Sequence, residues 1–240
     1  MKKTIKSKEG FTLIEVTLFL AISGFLVTAL IAGTSATIAR QRYNDSVQNF
    51  TSFLKTAYSD VIHVENQQRG SSGGNDSTAI YGKLINFADD GTITTYTIIG
   101  EAVHEFESSK SVLESLEDIG AKVAGEDDTY IPTYSARIQD TKGDTFAGRI
   151  LIVRSPISGS VKTYYSDNGT PCNINNIDTD DNCKIMKAGW NGKKDINFCI
   201  DSDDSYAYGG NRRNIRIITK DGFNASAVQL IDYDGGDNKC

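Results

Sequence analysis

Histidine is almost missing from this sequence, with His63 and His104 the two examples in 240 residues. Neither is near a cysteine and they form no metal-ligand pair, so the usual zinc arrangements have no basis. A GxSxG elbow and a phosphate loop are also absent, and the chain is expected not to be an enzyme. There are three prolines, and none near the middle of the amino-terminal helical region, where one would kink a helix. Cysteine does not occur before Cys172, and no pair has CxxC spacing. Charge is missing altogether from Val16 to Ala39, a run of 24 residues rich in Leu, Ile, Val, Phe and Ala.

As a helix rising about 1.5 Å per residue, that run covers roughly 36 Å, enough for a hydrocarbon core near 30 Å with some tilt. Lys2, Lys3, Lys6 and Lys8 precede it and Arg40 and Arg42 close it. The amino-terminal lysines favour a cytoplasmic leader with the bulk of the chain outside. A secretory signal would share the basic start, and Thr34-Ser35-Ala36 would serve as its cleavage site. The run is longer than the usual h-region of about 7–15 residues, however, and Glu15 stands at its beginning. A plain anchor explains the length but not Glu15, because an acid at mid-bilayer costs about 2.5–3.5 kcal/mol on insertion scales.

The segment Gly10-Phe11-Thr12-Leu13-Ile14-Glu15 resembles the processing site of type IV pilins and type II secretion pseudopilins. The resemblance covers roughly the first 60 residues, motif and long helix together. It implies that a prepilin peptidase/methyltransferase cuts between Gly10 and Phe11 and methylates the new Phe11 amine. Glu15 then becomes an assembly residue, pairing in a filament with the amine of a neighbouring subunit. Two opposite charges at about 4 Å gain roughly 4 kcal/mol at an effective dielectric near 20, which can outweigh partial desolvation. The partners so implied are other pilin or pseudopilin subunits and an inner-membrane assembly platform.

Composition fits a tethered extracellular protein. A leader with four lysines and one glutamate carries +3, so removing it from a chain of −6 leaves about −9. That acidity suits solubility and argues against nucleic acid as a partner. The cysteines Cys172, Cys183, Cys199 and Cys240 are disulfide candidates in an external head. Four cysteines allow three pairings, among which the sequence does not choose. The arrangement we expect closes a local loop with Cys172–Cys183 and ties down the carboxyl terminus with Cys199–Cys240.

After Arg40 the helical pattern acquires an apolar face, with Val47, Phe50, Phe53, Leu54, Ala57, Tyr58, Val61 and Ile62 at three- and four-residue steps. The expected organisation is an α+β chain. It has a leader over 1–10 and one long helix over 11–65, whose assembly half is 11–39 and amphipathic half 40–65. A polar linker over 66–79 leads to a mostly antiparallel β-rich head over 80–240. Strands are expected at Ile80–Phe87 and Thr92–Ile99 around Asp89-Asp90-Gly91, then at Tyr130–Gln139, Thr145–Arg154, Gly159–Tyr165, Asp195–Ile200, Asn214–Thr219 and Ala225–Ile231, with a helical patch at Ser109–Ile119. Gly24 and Gly33 are the weak points of the long helix.

Chemistry in the head is sparse. Asp178, Asp180, Asp201 and Asp203 alternate as in oxygen-rich calcium loops, but no EF-hand pattern is complete, and solvated acidic loops are the favoured reading over calcium sites. Lys193-Lys194 with Arg212-Arg213 and Arg216 could make a small basic patch, and Tyr164, Tyr165, Tyr206 and Tyr208 an adhesive one. The stretch from Cys199 through Arg216 and Asp221-Gly222 is similar to the head of H-class minor pseudopilins and related minor pilins. The reading is a minor subunit of a type IV pilus or type II secretion pseudopilus, inserted in the cytoplasmic membrane before it joins a filament. The alternatives are a tethered or secreted adhesin that never polymerises and a DNA-binding minor pilin of a competence pilus.

Overall fold

The computed structural model describes residues 10–63, 78–102, 109–167, 189–192, 195–202, 213–219 and 225–231. An unbroken helix, α1 (Leu13–Ile62), opens the chain. It runs straight through Gly24 and Gly33, with no neighbouring atom near a Cβ built at either. At about 1.5 Å per residue it is some 75 Å long. It stops at Ile62, short of the expected Glu65, where His63 leaves helical geometry.

The two halves of α1 have opposite surroundings. From Phe11 to Ile38 every large apolar side chain described is exposed. From Tyr43 onward the apolar stripe is sealed, with Val47, Phe50, Leu54, Tyr58 and Val61 all 2% exposed or less. That stripe recurs at helical spacing and so can face one core along its whole length.

Among the described residues the head forms two antiparallel sheets. The first has the order β3–β2–β1–β5–β6, from β1 (Thr78–Phe87), β2 (Ile93–Glu101), β3 (Lys122–Tyr130), β5 (Gly148–Arg154) and β6 (Val161–Ser166). The second has the order β4–β7–β8–β9, from β4 (Ala136–Gln139), β7 (Ile196–Ser202), β8 (Arg213–Ile217) and β9 (Val228–Ile231). Alternation along β5 explains how the first sheet is covered on both sides: Ile150 and Ile152 face α1, while Leu151 and Val153 face away. The far face is closed by α2 (Val112–Asp118) through Leu116, with Ile119 just beyond it. The near face shares one core with α1 and the inner residues Phe198, Ile200, Ile215 and Ile217 of the second sheet.

Aromatic rings fill the centre of that core. Phe50 of α1 touches Phe87 of β1 edge-on at 6.3 Å and Phe198 of β7 at 5.5 Å, so one helical residue bridges both sheets. Two hydroxyls fix the helix in register. Tyr58 shares a 2.6 Å hydrogen bond with Thr163 of β6. Tyr43 donates to the Ile200 carbonyl at 2.8 Å and accepts from the Arg213 N–H at 2.7 Å.

Two expectations are corrected, and one strand is found that was not expected. The segment Tyr130–Gln139 is no single strand: β3 ends at Tyr130, the chain turns, and β4 joins the other sheet. Pro132 lies in that turn, and Tyr134 and Ser135 take φ of 56° and 55°, a backbone no strand accepts. β3 itself was not among the expected strands; it forms by adding to the edge of β2 with two register shifts. Finally, Ala225–Ala227 is a 3-10 turn, so the last strand begins only at Val228.

Candidate functional site

The motif at the chain start is built from three non-helical residues followed by the first turn of α1. Gly10, Phe11 and Thr12 precede the helix and are exposed, Phe11 by 87%. The Gly10–Phe11 bond therefore lies in accessible, non-helical backbone, the form a peptidase needs. Thr12 is the N-cap, with φ −76° and ψ 151°.

Glu15 closes a capping box with Thr12. Its carboxylate accepts from the Thr12 N–H and from the Thr12 hydroxyl, both at 2.9 Å, while the Thr12 hydroxyl oxygen accepts from the Glu15 N–H at 3.4 Å. Both bonds to the carboxylate end on Oε2. The first turn is exposed and lies at the helix end where the macrodipole favours negative charge. Among the described residues, Thr12 holds one oxygen of the Glu15 carboxylate. Sequence reading missed Thr12, although Thr12-Leu13-Ile14-Glu15 has the spacing of a capping box.

The second part of the site is the exposed half of α1. It displays fourteen large apolar side chains between Phe11 and Ile38. At about 1.5–3 kcal/mol each, leaving them in water forgoes roughly 20–40 kcal/mol, more than the typical 5–15 kcal/mol that hold a whole domain folded. This surface needs an apolar environment. The helix is long and apolar enough to cross a membrane.

The head candidates separate. Asp201 is in β7, while Asp178, Asp180 and Asp203 lie outside the described residues. No group of three or more His, Cys, Asp or Glu side chains suited to a metal occurs among the described residues. Cys199 is buried in β7 and disulfide-bonded; Cys172, Cys183 and Cys240, hence its pairing, lie outside the described residues. In β8, Arg213 and Arg216 fall on opposite sides by strand alternation, and Arg216 binds Asp195, its Nε 3.0 Å from Oδ2. Those two arginines do not form one patch. Lys193, Lys194, Arg212, Tyr206 and Tyr208 lie outside the described residues. Tyr164 and Tyr165 pack against opposite cores of the first sheet, and burial raises the pKa of both. They are packing residues before they are adhesive ones.

No protein-family model, no curated protein and no solved structure matches the chain. The two-part arrangement itself, a self-capped acid at the head of an exposed apolar helix whose other half is locked into a β-rich head, is what bears on function.

Proposed function

We propose that the chain is a minor structural subunit of a type IV pilus or type II secretion pseudopilus. It is held in the cytoplasmic membrane by α1, cut between Gly10 and Phe11, methylated on Phe11 and transferred into a helical filament with its head outward. The observation that carries this reading is the division of α1. One unbroken helix leaves its large apolar side chains exposed up to Ile38 and docks its apolar stripe from Tyr43 onward, which suits an element whose free half packs against copies of itself.

In the proposed mechanism the prepilin peptidase frees the Phe11 amine. That amine meets Oε1 of a neighbouring Glu15 while Thr12 keeps Oε2, so the carboxylate is oriented before its partner arrives. The assembly platform supplies the movement out of the membrane. The disulfide at Cys199 stiffens an external head that has no membrane to support it.

Mass spectrometry of the mature amino terminus tests the proposal. N-methylphenylalanine at position 11 is the expected result. A start at Thr37, after Ala36, would identify a secreted domain, and an intact Met1 a plain anchor; either outcome sinks the subunit reading.

A further inference from the structure

The β3–β4 loop carries two large side chains that the core does not use. Ile131 is 70% exposed and Tyr134 54%. The loop is nonetheless shaped: Pro132 fixes one φ, and Tyr134 and Ser135 both hold left-handed backbone, which L-residues adopt only at a cost. Such a conformation persists where surroundings over-determine it. Here the Arg42 guanidinium lies over the Tyr134 ring, 5.9 Å from its centroid.

Contacts along α1 give the loop its height. At its upper end, Tyr130 stacks on Phe53 with ring centroids 4.6 Å apart. At its lower end, Tyr134 meets Arg42. The chain therefore descends beside α1 from Phe53 to Arg42, about 16 Å at 1.5 Å per residue. Helical side chains lean towards the helix amino terminus, so Arg42 covers the turn before it, at the level of Ile38 and Ala39. Ala39 ends the charge-free run and already packs against the head's core. The floor of the head thus meets the end of the apolar run, and Tyr134 is exposed on that floor beside Arg42, with Ile131 exposed higher on the same loop.

We propose that this loop is a membrane-surface contact. Tyr134 enters the headgroup layer of the bilayer that α1 spans, Ile131 stands above it on the same loop, and Arg40 and Arg42 face the lipid phosphates. The loop sets the depth and tilt of the head before the subunit leaves the membrane. The chemistry favours a lipid surface: tyrosine at a water–hydrocarbon boundary, an arginine with an apolar stem, and continuity with an apolar helix that ends at the same level. The inference rests on α1 spanning the membrane.

The test uses the full chain reconstituted in vesicles of phosphatidylethanolamine and phosphatidylglycerol carrying a headgroup nitroxide. Tyr134→Trp, Ile131→Trp and Ile157→Trp are compared, each after subtracting the parent signal of Trp190. Ile157 sits in the β5–β6 turn, at the opposite end of β5 from the floor, roughly 20 Å higher at about 3.3 Å per residue. The headgroup layer ends well below that height, so the Tyr134→Trp variant should be quenched about threefold more than Ile157→Trp, with Ile131→Trp between them. Equal quenching in a chain that resists alkaline carbonate extraction overturns the loop's role alone, and points to a contact with a second copy instead. A chain stripped from the vesicles by carbonate overturns the spanning helix and the loop's role together.

Discussion

The hydrogen bond between Tyr58 and Thr163 gives a sharp test of how the long helix is held to the head. Both side chains are essentially sealed from water, at 0% and 1% exposure, and their hydroxyls are 2.6 Å apart. Tyr58→Phe removes one hydroxyl and strands the other in the core. The stranded group loses its hydration without compensation, about 1–3 kcal/mol. Thr163→Val does the same from the other side. Replacing both removes the polar atoms together and should cost less than the two single changes summed. A coupling energy of about 1–2 kcal/mol is therefore expected from the double-mutant cycle. Urea unfolding of the full chain in detergent micelles, followed by Trp190 fluorescence, supplies the three differences. If each single change costs under about 0.5 kcal/mol and the pair is additive, the bond does not fix the helix against β6 and the reasoning is wrong.

Phe50→Ala should cost about 3–5 kcal/mol in the same assay, because a fully buried ring bridging both sheets leaves a cavity that neither sheet can close. Gly82→Ala should be at least as damaging, about 3 kcal/mol or more, since a Cβ there collides with the Ile152 carbonyl; protease resistance of the head in membranes is the readout. Alkali should unfold the head cooperatively. Burial pushes Tyr130 up to about 12 from an ordinary 10.0 and raises Tyr58 further. A raised folded-state pKa gives stability that is whole below pH 10.0 and lost as pH climbs through the folded value. Tyrosinate absorbance should therefore lag behind free tyrosine and then rise together with loss of structure.

The sequence was most informative where one physical signal dominated. A run of 24 uncharged residues admits few structures besides a helix, and the stripe from Val47 to Val61 matched one buried face closely. The Asp89-Asp90-Gly91 hairpin was legible because Gly91 takes a φ of 86° and the flanking runs alternate. The acidic edge strand β3 was hidden because its sequence, Lys122–Tyr130, mixes glycine and acids with few apolar residues, and no period shows it. Assignment of β4 to the second sheet was hidden too, since a left-handed turn at Tyr134 and Ser135 carries no glycine to announce it. At the candidate site the reverse held. Gly10, Phe11 and Glu15 stood out by position, while Thr12, whose hydroxyl orients the acid, was passed over as part of the motif.

That orientation bears on what drives assembly under the proposed function. Fourteen exposed apolar side chains force α1 out of water, yet they scarcely distinguish a bilayer from a filament core, because lipid tails are as apolar as leucine. The bias from one to the other has to come from a group that is better satisfied among copies than in lipid. Among the described residues of the exposed half, Glu15 is the ionisable one inside that apolar surface. Glu15→Gln separates its two roles. Glutamine can still accept from the Thr12 N–H and hydroxyl, so it keeps the cap, but it cannot form an ion pair with a neighbouring amine. If the charge drives assembly, Glu15→Gln should fail as badly as Glu15→Val, with incorporation down by about three orders of magnitude for an interaction near 4 kcal/mol. Membrane insertion should be undiminished in both. Filament fractions containing Glu15→Gln subunits at parental levels would show that Glu15 serves only as a helix cap, and the drive for assembly would then have to be sought in the packing of Gly24, Gly33 and their neighbours.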